Sequence, residues 1–71
     1  MSSWQKVFSD NYEYRVSIVK SVLADMGINS VIVNKKNSAF NNFGHFELHV
    51  EPENVIRSIK IIKDDINFEE L

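Results

Sequence analysis

The chain has 71 residues, 44% hydrophobic and 25% charged, a composition that excludes a disordered segment and predicts one small globular domain. Its net charge of −2, with acids and lysines interspersed, offers no positive field for a phosphate backbone and argues against nucleic acid as a partner. The absence of cysteine removes disulfides and thiolate metal sites.

No apolar run approaches the roughly 20 residues of a membrane helix, so no membrane partner is expected. The opening MSSWQKVFSDN has no apolar centre of the kind a signal peptide needs. The expected setting is the cytoplasm of a prokaryote. A domain of this size buries only about 60% of the surface its unfolded chain exposes. Small domains usually find extra stability elsewhere, and without cysteine a second subunit becomes the natural source.

In chain order, Trp4 to Ser9 (WQKVFS) alternates weakly and is expected to form a first strand. Asp10 precedes Glu13 by the spacing of a capping box. Tyr12, Val16, Val19, Leu23 and Met26 then make one helical stripe, and Gly27 can adopt the left-handed conformation that ends it. Ile28 to Asn34 (INSVIVN) is rich in β-branched residues and predicts a second strand.

A long polar connection follows, and then HFELHVE alternates cleanly. Phe46, Leu48 and Val50 fall on one face, and His45, Glu47, His49 and Glu51 on the other. Pro52 suits the first turn of a second helix, whose stripe is Val55, Ile59, Ile62 and Ile66. Glu53 and Arg57 stand at ion-pair spacing, and Asp64 and Asp65 mark the end because acids oppose the dipole there. The pattern spans about residues 4–66 and leaves 67–71 as a tail. The order β-α-β-β-α predicts an α+β, ferredoxin-like two-layer sandwich. In it the third strand lies antiparallel between the first two, both helices cover one face, and the tail is available as a last strand.

KVFSDN, LADMGINSVIVN and FGHFELHVEPENVIRSIKII together resemble a family of small prokaryotic domains of unknown function that is catalogued as signal-transducing. The likeness covers nearly the whole chain, and its most telling positions are Gly27-Ile28 and Gly44 leading into Leu48 and Val50. These positions stop a helix, make a turn and fill a strand core, so the likeness speaks to fold more than to chemistry. The family is likened to the nitrogen-regulatory PII proteins, which share the ferredoxin-like layout and carry a functional loop between their second and third strands. No PII nucleotide-binding motif occurs here, so no site residue is carried across.

The connection NKKNSAFNNFGHF occupies that loop position. Lys35 and Lys36 can receive an anion, Asn37 and Asn42 offer donors and acceptors, and Phe40 and Phe43 can form a contact surface. The plainer reading is that asparagines bond local backbone in any turn, with Gly44 supplying a positive φ before the strand. A metal reading rests on His45, Glu47 and His49. Along an extended strand, His45 and His49 would lie about 13 Å apart, too far for both to meet one ion bound at about 2.0–2.1 Å. A site there would need a second subunit or a distant acid, so a metal-linked assembly is the least favoured reading, and no metal or other cofactor is expected.

Trp4, Phe8 and Ile32 are expected on the uncovered sheet face or at the first-strand edge, as the surface of a homodimer. Phe68 and Leu71 are candidate contributors to it, and Tyr14, Ile18 and Val22 form a second stripe on the first helix. No nucleophile, base or phosphate loop stands at recognisable spacing, so no enzyme is expected. The leading expectation is a non-catalytic interaction or regulatory module that recognises a protein partner through residues 35–44. The alternative is a small-ligand sensor binding an anionic metabolite or nucleotide there.

Overall fold

The computed structural model describes residues 3–35 and 45–66. Its elements are β1 (Gln5–Asp10), α1 (Glu13–Asp25), β2 (Ser30–Asn34), β3 (Phe46–Val50), a 3-10 turn (Pro52–Asn54) and α2 (Val55–Asp65). The strands form an antiparallel sheet in the order β1-β3-β2, so the expected α+β layout with the third strand in the middle is present. The strand foreseen in the tail falls outside the described residues.

Val16, Val19 and Leu23 turn one stripe of α1 onto the sheet and are fully buried. They meet Leu48 and Val50, the two β3 side chains with no exposure, and Ile28. The ends of the expected stripe do not join them, since Tyr12 and Met26 flank the helix rather than belonging to it and are 56% and 44% exposed. The capping box does not form either. Glu13 is the first residue of α1, not the third, and Asp10 still belongs to β1; its carboxylate accepts the Tyr12 backbone N–H at 2.9 Å.

The end of α1 is closed as its sequence foretells. Gly27 has φ +82°, which places the next residue back toward the helix. The Ile28 N–H then reaches the Leu23 carbonyl at 2.9 Å, and the Gly27 N–H reaches that of Ala24 at 3.0 Å. This is a Schellman closure, and both of its apolar partners, Leu23 and Ile28, are in the core. Ile28 is therefore spent on the helix stop, and β2 begins two residues later than expected.

The second helix keeps most of its expected stripe, since Val55, Ile62 and Ile66 pack against the core and the helix ends at Asp65 as foreseen. Its buried side contains Val55, Ser58, Ile61, Ile62 and Ile66, with Ser58 the one fully buried residue, while Ile59 is 48% exposed. Arg57, Lys60, Lys63 and Asp64 fill the opposite arc, so spacing marks most of the inward side, which is displaced toward Ser58 and Ile61 and leaves Ile59 at its margin. The small Ser58 side chain permits close approach to the core, and the inward arc centres near it. The Glu53–Arg57 pairing is not made. Arg57 instead donates from Nη2 to the Met26 carbonyl at 2.8 Å, joining the start of α2 to the end of α1.

Candidate functional site

The register decides what the uncovered sheet face carries. Lys6 pairs with His49 and Ser9 with Glu47 on one side of β3; Val31 pairs with His49 and Val33 with Glu47 on the other. Because Leu48 and Val50 point to the helices, the intervening Glu47 and His49 point away, and their cross-strand partners share that direction. The face thus has a polar centre with a valine flank, and Val31 is 43% exposed.

Glu47 anchors that centre. Its Oε1 lies 3.0 Å from His49 Nε2, and its Oε2 lies 3.8 Å from Lys6 Nζ. A carboxylate oxygen accepts from an Nε2 proton, so this hydrogen bond goes with the Nε2–H tautomer of the ring. The two central side chains are only 16% and 19% exposed, held down between neighbouring rows. Ser9 stands opposite the carboxylate rather than the imidazole, and no hydrogen bond joins it to His49. The arrangement holds a polar surface in register.

The same register corrects the expected apolar patch. Phe8 and Ile32 both pair with Leu48, on the helix-covered face, and both pack against the core. They cannot line the uncovered face. For Ile32 the cause is that apolar residues fall on both sides of β2, so periodicity does not choose between them. For Phe8 the cause is a bulge, since the ladder shifts between Lys6 and Phe8 and Val7 is the extra residue. Trp4 precedes β1 and is 41% exposed.

Of the connection, Lys35 is described, and Lys36, Asn37, Phe40, Asn42 and Phe43 lie outside the described residues, as do Phe68 and Leu71. The two ends of the connection are fixed together. Asn34 pairs with Phe46, and the Lys35 N–H donates to the His45 carbonyl at 2.6 Å. Among the described residues no three of His, Cys, Asp and Glu converge as a metal site, and the His49 ring is directed to Glu47 instead. No described helix is long and apolar enough to cross a membrane.

Two features escape the sequence reading. At the start of α1, Arg15 pairs with Asp10 at 3.6 Å and donates to the Tyr14 hydroxyl at 3.3 Å, with its guanidinium 5.4 Å from the Tyr12 ring centre. The Tyr14 hydrogen bond, with Asp10 near by, holds this guanidinium still more firmly protonated than usual. The signal was present in DNYEYR, where an acid, two tyrosines and an arginine surround a helix start. Tyr14 and Ile18 face solvent from this helix, while Val22 is half-buried. The second feature is a recess of about 200 Å³ lined by Lys20, Ser21, Ala24, Ile28, Asn29 and Ser30. No sequence pattern announces it, because it arises where α1 crosses the start of β2.

Comparison with known proteins finds no matching family, no similar curated protein and no similar solved structure.

Proposed function

We propose that the chain is a non-catalytic interaction module of the signal-transducing kind, on a ferredoxin-like frame, that recognises a protein through its uncovered sheet face and the adjoining connection. The observation that carries this reading is the face itself, where exposed Val31 and half-buried Val33 lie beside the Lys6–Glu47–His49 row. Apolar surface of this kind gains from being covered, and ordered charges beside it favour one register of docking over others.

Size brings in the connection. Three strands of this length make a face of about 14 by 17 Å, roughly 240 Å² in plan. A stable interface takes about 800 Å² from each partner. The sheet face alone is too small, and the chain that leaves it at Lys35 and returns at His45 is the nearest source of the remainder. A second copy of the chain is the simplest partner, giving a homodimer in the cytoplasm.

The test is sedimentation velocity across a concentration series, on the parent chain, on Val31→Lys, and on a chain whose residues 36–44 are replaced by a Gly-Ser linker. A concentration-dependent dimer is expected for the parent, and a monomer with an unchanged circular-dichroism spectrum for both variants. A parent that stays monomeric throughout removes the homodimer, and a linker variant that unfolds makes the connection structural.

A further inference from the structure

The two edges of the sheet differ in how they are protected. β1 contains the bulge at Val7 and an exposed lysine, Lys6, both devices that discourage a further strand. β2 is regular over Ser30–Asn34, with no bulge, proline or charged residue. The Lys35–His45 hydrogen bond fixes the parity of its ladder: Val31, Val33 and Lys35 turn their backbone groups toward β3, so Ser30 and Ile32 turn theirs outward. Ile32 thus presents one N–H donor and one carbonyl acceptor at an edge that no described strand covers.

One end of this edge opens onto the recess beneath α1. Ile28 lines its apolar side, while Lys20, Ser21, Asn29 and Ser30 supply polar groups. The Ser30 hydroxyl oxygen there is buried and has no hydrogen-bond partner among the described residues, an uncommon state for a buried polar atom. Lys20 makes no ion pair with any described residue. At about 200 Å³ the recess is smaller than the roughly 300–1,000 Å³ of small-molecule sites, but it is ample for one carboxylate group.

We propose that the β2 edge and this recess together accept an extended peptide bearing a carboxylate. The peptide backbone pairs with Ser30 and Ile32, and its carboxylate enters the recess, where Lys20 supplies charge and the Ser21 hydroxyl and Asn29 amide donate hydrogen bonds. Main-chain pairing gives the affinity and the recess selects the side chain, as in strand addition generally. This site is separate from the uncovered face, and either holds without the other.

The experiment is a titration of ¹⁵N-labelled full chain with capped Thr-Val-Glu-Val-Thr, followed by amide shifts and hydrogen exchange. Shifts at Ser30–Ile32 and Lys20–Ala24 are expected, with slower exchange at the Ile32 amide. Lys20→Glu, on an exposed helix position, should keep its circular-dichroism spectrum and weaken binding by about tenfold, and a Lys-for-Glu peptide should bind the parent as weakly. N-methylation of the peptide's edge-facing amides should abolish binding. The proposal is overturned if the peptide shifts nothing, if it shifts only Lys6, Ser9 and Val33 on the other face, or if both peptides bind alike. Sodium acetate alone producing the Ile32 shift would reduce the site to a small-anion pocket. Shifts that follow protein concentration without peptide would give the edge to a second copy.

Discussion

α1 and α2 lie on the same side of the sheet, yet they contribute to it unequally. α1 commits three aliphatic side chains completely to the core and ends in a closed glycine turn. α2 has more isoleucines but buries none fully; its one fully buried residue is Ser58, and Ile56 is 84% exposed. Apolar content therefore does not measure a helix's contribution. What counts is the arc along which it meets its neighbours, and on α2 that arc runs past a serine. The difference predicts a domain that depends on α1 and tolerates change on α2.

The comparison is broken most severely at Leu23. Leu23→Ala should cost about 2–5 kcal/mol in urea denaturation, since a fully buried leucine leaves a cavity at the centre of the cluster. In so small a domain much of the population should unfold at 25 °C. Gly27→Ala should cost about 1–2 kcal/mol, because φ +82° is strained for any residue with a Cβ. An added Cβ meets nothing within 4 Å, so the loss should be conformational and Gly27→Asn should recover part of it.

Ser58→Ala tests α2 with the opposite sign. The hydroxyl is buried without a partner among the described residues, so its removal should raise stability by about 1 kcal/mol and shift the urea midpoint upward. A loss of stability there would mean that the hydroxyl is bonded after all. The smallest effect belongs to Ile56→Ser, expected within about 0.5 kcal/mol of the parent in the same assay. A cost above 2 kcal/mol would show that something covers this side of α2.

The parts legible in the sequence were those with one local cause. Gly27 stops a helix through its own φ, and Leu48 and Val50 alternate against charged neighbours, so each can be read without knowing the rest of the fold. The illegible parts depended on a second element. Phe8 changes meaning with a bulge visible only against β3, and Ile32 with a register that Leu48 sets. Arg57 looks like half of a local ion pair until α1 ends within its reach. For the candidate sites the contrast is sharper. The connection was conspicuous by composition, whereas the Lys6–Glu47–His49 row needed cross-strand pairing to bring Lys6 near Glu47. The recess needed a helix to cross a strand.

The bulge at Val7 has a consequence at a larger scale. A sheet with two equally receptive edges can be extended at both ends, and a head-to-tail contact that does not close runs on as a filament. Here one edge is regular and the other is broken at Val7, so two copies that paired through β2 would leave no second regular edge for a third. One extra residue in a strand is thus enough to make the two edges of the sheet unequal.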